Sequence, residues 1–215
     1  MKTEKFYEEL KGIIVDNRFD IIKYQKLLEK LEKAIREESC YKTSSKTRVN
    51  AIKRVASKDN CRPALKGFGI MDDFKVVTDS YHLIAIHQDE MPLPMVATSD
   101  ELKAMGIDHK EYMEKYGRNS LINATYPNIK AIINYDTSNE LPMIDLDDLE
   151  SFCKLHKKDN ELYKIGEQSF NPHYVKNVVD VLGKEFKIYY QGEYRPLFFV
   201  NDKEEIGLVL PVKKY

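Results

Sequence analysis

The chain has 215 residues, 42% of them apolar and nine of them glycine, the composition of an ordinary globular protein with one compact domain or two small ones. Its 34 basic and 35 acidic side chains leave a net charge of −1, which excludes a global basic footprint for nucleic acid and confines any such surface to a local patch. No apolar run approaches the roughly 18 residues of a membrane span, and the start Met-Lys-Thr-Glu-Lys-Phe-Tyr-Glu-Glu lacks the pattern of a secretory signal. The expectation is a soluble, cytoplasmic protein with no membrane partner.

In residues 1–41, Phe6, Leu10, Ile13 and Ile14, then Leu27, Leu28, Leu31 and Ile35, recur at helical spacing, with a break predicted over residues 16–20. A helical hairpin follows, its nine basic and nine acidic residues balanced as on a solvated face. Residues 42–58 differ. They hold Lys42, Lys46, Arg48, Lys53, Arg54 and Lys58 with no acid, and Val49, Ile52, Val55 and Ala56 repeat at three and four, which predicts an amphipathic helix with a basic outer face. Such a face grips phosphates without reading sequence; a solvated lysine-rich helix has the same pattern.

Strands are predicted over 65–71, 74–78 and 83–87, separated by Asp72-Asp73 and Asp79-Ser80. Residues 91–125 break this pattern with Pro92, Pro94 and a helical stretch from Ser99 to Tyr116, as an insertion or lid does. From Asp145 the prediction is helix (Leu146, Leu149, Phe152, Leu155), strand 162–168, helix 172–182 opened by Asn171-Pro172 and closed at Gly183, then strands 186–190, 196–200 and 207–212. A helix followed by three strands thus occurs twice, over 43–88 and 171–213, an internal repeat. The fold class is α+β, divided into 1–41 (helical), 42–90, 91–125 (insertion) and 126–215.

Chemistry-bearing clusters are sparse. Cys40, Cys61 and Cys153 are widely spaced and suit reduced thiols. Cys153 and His156 lie three apart on a predicted helix without a second pair to complete a metal site, and His82 and His87 sit an odd number apart, on opposite faces of a strand. Asp145, Asp147 and Asp148 suit a helix N-terminus. No phosphate loop, nucleophile elbow or paired metal motif is present, so neither a cofactor nor an enzymatic activity is expected.

Three blocks resemble the sliding clamp, the beta subunit of bacterial DNA polymerase III. Ser57-Lys58-Asp59-Asn60-Cys61-Arg62-Pro63-Ala64-Leu65-Lys66-Gly67, continuing to Val77-Thr78-Asp79-Ser80-Tyr81-His82-Leu83, is similar to the clamp's middle domain. Tyr126-Pro127-Asn128-Ile129-Lys130-Ala131-Ile132 is similar to the segment leading into its last domain. Phe170-Asn171-Pro172-His173-Tyr174-Val175 and Val209-Leu210-Pro211-Val212-Lys213 resemble its final helix and strand. The resemblance covers about half the chain; residues 1–41 stand in place of a first clamp domain, and 91–125 have no counterpart in it.

The resemblance implies a processivity or recruitment factor in DNA replication. DNA polymerase or other replication proteins would insert a short motif into a pocket made by Arg62, Leu65, Thr78, Ser80, Tyr81, His82, Leu83, Pro127, Ile132, Leu208, Val209, Leu210, Pro211 and Val212. His82 and Ala131 stand where the family commonly has arginine. Double-stranded DNA would be held electrostatically by Lys46, Arg48, Lys53, Arg54, Lys58 and Lys176, and the protein would be a homo-oligomer. Two other readings are an adaptor or decoy that regulates replication proteins without encircling DNA, and an enzyme with its site in 91–125.

Overall fold

The computed structural model describes residues 21–157 and 161–213; the helix expected over 1–20 and its break lie outside the described residues. Helix α1 (Ile21–Thr43) buries Leu27, Ala34 and Cys40 and leaves Ile35 of the expected stripe exposed. Helix α2 (Lys46–Val55) is shorter than the basic stretch containing it. Ser45 starts it by accepting the Arg48 N–H at 3.1 Å, and Val49, Ala51, Ile52 and Val55 form its buried face.

A 3-10 turn at Pro63–Leu65 replaces the start of the strand expected over 65–71, because Pro63 suits a first helical position and has no N–H for a ladder. Strands β1 (Gly69–Met71), β2 (Phe74–Thr78) and β3 (His82–Ile86) follow as the expected meander. Next, β4 (Met95–Val96) pairs in parallel with β5 (Leu121–Ile122). The single helix expected between them is two, α3 (Ser99–Ala104) and α4 (His109–Tyr116). The break comes at Asp108, whose carboxylate accepts the Glu111 N–H at 2.8 Å and caps a new helix.

Strand β6 (Glu140–Leu141) precedes helix α5 (Leu146–Leu155). The acidic start of α5 is a cap, Asp145 accepting the N–H groups of Asp147 and Asp148 at 2.9 and 3.1 Å. The strand expected over 162–168 is a hairpin, β7 (Tyr163–Ile165) with β8 (Gln168–Phe170), turned at Gly166 with φ +59°. Helix α6 (Pro172–Leu182) begins at Asn171, which accepts the His173 N–H at 2.9 Å. Strands β9 (Phe186–Tyr190), β10 (Leu197–Asn201) and β11 (Ile206–Val209) complete the chain; β11 ends before Pro211, which has no N–H to donate.

One antiparallel sheet of seven strands runs in the order β1-β2-β3-β11-β10-β9-β6. The order mirrors about the β3–β11 seam, so the two helix-plus-three-strand repeats meet edge to edge. Alternation along the strands divides their side chains between two cores. Val77, Ile84, Ile86, Leu197, Phe199 and Val209 face α2 and α6, while Val76, Leu83, Ala85, Phe198, Ile206 and Leu208 face the other way, against Tyr126, Ile129, Ile133 and Tyr135. On the helix side, Gly207 admits α6: a Cβ there would lie 2.1 Å from Val178 Cγ1.

Candidate functional site

The second face of the sheet is only partly covered, and the uncovered part is a cavity of about 610 Å³. Its floor is a row across three strands, Thr78, Leu83 and Leu208, set side by side by the register Thr78↔Leu83 and Leu208↔Leu83. Leu210 extends that row, held by its N–H to the Tyr81 carbonyl at 2.9 Å. The 3-10 turn supplies Arg62, Pro63, Ala64 and Leu65 as one wall, and Pro127, Ile129 and Ile132 supply the other. The lining is mostly aliphatic, with Arg62 at the rim as its one permanently charged side chain among the described residues.

The rim between β2 and β3 is a tightly bonded turn. Thr78 Oγ1 donates to the His82 carbonyl at 2.8 Å and accepts the Ser80 N–H at 3.0 Å. Asp79 Oδ1 accepts the N–H groups of Tyr81 and His82 at 2.8 and 3.0 Å. Ser80 has φ +84°, a left-handed conformation costly for a residue with a Cβ, and its hydroxyl accepts from Arg62 Nη1 at 3.1 Å. Burial pushes the Asp79 carboxyl up, but hydrogen bonds from the His82 ring and the two amides outweigh it and hold the group below the usual carboxylate range.

The structure thus brings together Arg62, Leu65, Thr78, Ser80, Tyr81, His82, Leu83, Pro127, Ile132, Leu208 and Leu210. Three expected residues are placed elsewhere. Val209 alternates away from Leu208 into the helix-side core, fully buried, and Pro211 and Val212 run past the cavity, the Val212 N–H bonding the Ser169 carbonyl at 2.8 Å. The site residues not anticipated are Cys61, Pro63, Ala64 and Ile129. Cys61, Pro63 and Ala64 adjoin anticipated residues and Ile129 lies between Pro127 and Ile132, but which residue of a turn faces a cavity has no periodic signal.

His82 reaches the cavity only at its backbone, since its ring, 1% exposed, points to the helix side. There it stacks on Tyr174 at 4.4 Å, with Nδ1 2.8 Å from Asp79 Oδ1 and Nε2 3.3 Å from Asn177 Nδ2. Arg54 Nε donates to Asn177 Oδ1 at 2.7 Å, which makes the Asn177 amide nitrogen the donor to His82 Nε2 and puts the imidazole proton on Nδ1.

The basic face of α2 is less open than its sequence suggests. Arg48 is paired with Glu205, Nη2 to Oε1 at 2.6 Å and Nη1 to Oε2 at 3.1 Å, with side chains only 19% and 2% exposed. Arg48 also donates to the Val181 carbonyl, and Glu205 accepts the His87 N–H and Asn201 Nδ2 at 3.1 and 2.9 Å, so the buried carboxylate is fully bonded. Arg54 Nη2 and Lys176 Nζ share Asp180, each at 2.8 Å. Of the six cations in 42–58, Arg48 and Arg54 are thus opposed, by acids of α6 and the turn before β11 that are distant in sequence. Lys46 and Lys58 are exposed, and Lys53 is half-buried.

No family model and no curated protein matches the sequence. Solved structures do. The C. crescentus beta sliding clamp superimposes with a TM-score of 0.53 at 13% identity over 78% of this chain and 63% of that one. The DNA polymerase sliding clamp of Bacillus subtilis gives 0.50 at 16% identity over 79% and 62%. The clamp of Bartonella birtlesii, DNA polymerase III subunit beta bound to griselimycin, gives 0.54 at 13% identity over 78% and 64%.

The chain has the sliding-clamp fold. It spans less than two thirds of the length of those clamps. Within this clamp fold, no group of three or more His, Cys, Asp or Glu side chains among the described residues is placed to hold a metal ion. No described helix is long and apolar enough to cross a membrane. The segment 91–125 is tied to α1 by Glu32, whose carboxylate accepts the Arg118 N–H at 3.1 Å and Asn119 Nδ2 at 2.9 Å.

Proposed function

We propose that this protein is a clamp-like, non-enzymatic DNA replication factor that recruits DNA polymerase or other replication proteins by taking a short peptide motif into the apolar cavity. The observation that carries this reading is the Thr78-Leu83-Leu208 floor with Leu210 beside it, an aliphatic trough of about 610 Å³ beneath a prebuilt turn. Such a trough accepts leucine or phenylalanine side chains of an extended guest, and preorganisation lowers the entropy cost of binding. The test is titration of a fluorescent peptide of the Gln-Leu-x-Leu-Phe type into the wild type and Leu210→Ala. Saturable binding that the variant weakens supports the reading; no binding at high protein concentration sinks it.

Double-stranded DNA is the second partner in this proposal, held loosely by Lys46, Lys53 and Lys58 in a homo-oligomeric ring. The pairing of Arg48, Arg54 and Lys176 with acids favours the alternative, an adaptor or decoy that occupies partner motifs without encircling DNA. Lys46→Glu with Lys58→Glu separates the two. Loss of duplex binding and of polymerase processivity supports the clamp, whereas unchanged replication phenotypes with intact peptide binding favour the adaptor.

A further inference from the structure

At one end of the trough lies a second cavity, of about 360 Å³ and different character. Arg62 and Tyr81 line both, so the two cavities adjoin. One wall is aromatic, Tyr81 stacked parallel on Tyr174 at 6.0 Å. The charged side chains around it are Arg54, Lys58, Arg62, Asp59 and Asp79.

Each carboxylate is hydrogen-bonded through its Oδ1. Asp79 holds two amides and the His82 ring, and Asp59 accepts the Cys61 N–H at 2.8 Å with Arg62 Nε at 3.8 Å. The cations are not used up in the same way. Arg54 is tied to Asn177 and paired with Asp180, but Arg62 gives its Nη1 to the neutral Ser80 hydroxyl, and Lys58 has no partner among the described residues. A guest segment therefore meets unshared donors on Lys58 and Arg62, in a cavity ringed by three cations and two carboxylates.

We propose that the peptide taken by the trough carries an acidic flank, and that this flank lies in the second cavity against Lys58 and Arg62. The inference rests on the peptide reading above and names the partner's chemistry: an extended segment with an apolar motif continued by aspartate or glutamate. The aromatic wall packs the flank's backbone and methylenes, and the cations select its charge.

Three fluorescent peptides test it, all with a Gln-Leu-Ser-Leu-Phe core: one flanked by Gly-Ser on both sides, one with Glu-Glu before the core and one with Glu-Glu after it. One acidic peptide is expected to bind about three- to tenfold tighter than the neutral one at low salt, with the margin shrinking as salt rises. Lys58→Glu, a change at an exposed side chain, is expected to bring the acidic-to-neutral affinity ratio to one or below and to favour a Lys-Lys flank. Three equal affinities, or a ratio unmoved by Lys58→Glu, overturn the acidic flank while leaving the trough intact. Equal peptides together with duplex DNA binding that Lys58→Glu removes assign the cations to phosphates and also overturn it. If no peptide binds, the trough reading itself falls and this inference falls with it.

Discussion

The two faces of one sheet are built from the same strands, in alternating residues, and have opposite character. The helix face is closed. Val178 seats on Gly207, Arg48 and Glu205 neutralise each other at its margin, and Phe170, Phe199 and Ile84 are fully shielded. The other face is covered by the irregular segment 126–135, beside which it keeps a trough floored by Leu83, Leu208 and Leu210. Helices bring a continuous apolar stripe and seal a sheet; a loop brings side chains singly and leaves a trough between them. Stability is expected to reside mainly in the first face and binding in the second.

The largest effect expected of a single substitution is at the seam of the closed face. Glu205→Ala leaves the Arg48 guanidinium in a mostly buried position without its carboxylate, and the loss in urea unfolding should be about 3–5 kcal/mol. A smaller loss, about 1–3 kcal/mol, is expected for Gly207→Val, because the new side chain meets Val178 and forces α6 off β11. If calorimetry finds that variant as stable as the wild type, the close approach of helix and strand is not what seals the face.

On the open face the order reverses. Leu210→Ala should weaken a bound motif peptide by about 1–3 kcal/mol in a fluorescence titration while shifting the unfolding midpoint less than Gly207→Val does. Equal damage to folding and binding would erase the contrast between the faces. Asp79→Asn sharpens it by pH. A carboxylate held below its ordinary value of about 3.9 contributes stability that is in place above that value and is lost as pH falls through the lower folded one. The variant should therefore be slightly less stable at neutral pH and show a shallower acid-unfolding profile below about pH 4, measured by circular dichroism.

Much of this was legible along the chain because it depends on neighbours in sequence. The strand 74–78, the helix 172–182 with its Asn171 cap, and the repeated helix-plus-three-strand unit follow from side-chain periodicity and capping chemistry, which act over a few residues. Turn chemistry was the weaker signal: Asp108 and Gly166 each split an element expected to be continuous. Within the trough, Thr78, Leu83 and Leu208 were legible as residues of strands far apart in sequence, and the departure of Val209 into the other core is the alternation of that same strand, whereas their meeting side by side depends on the pairing of β3 with β11.

What the sequence by itself determined is therefore the inventory: the α+β class, the basic stretch 42–58, the apolar strands, the short turns. Only the tertiary structure decided which charges survive and which apolar side chains stay open. Glu205 lies 157 positions from Arg48 and Asp180 lies 126 from Arg54, so the neutralisation of the two arginines of the basic helix has no local trace. The trough likewise exists because residues 61–65, 78–83, 127–132 and 208–210 converge on one face. Charge pairing and cavity shape depend on distance in space, which periodicity does not encode.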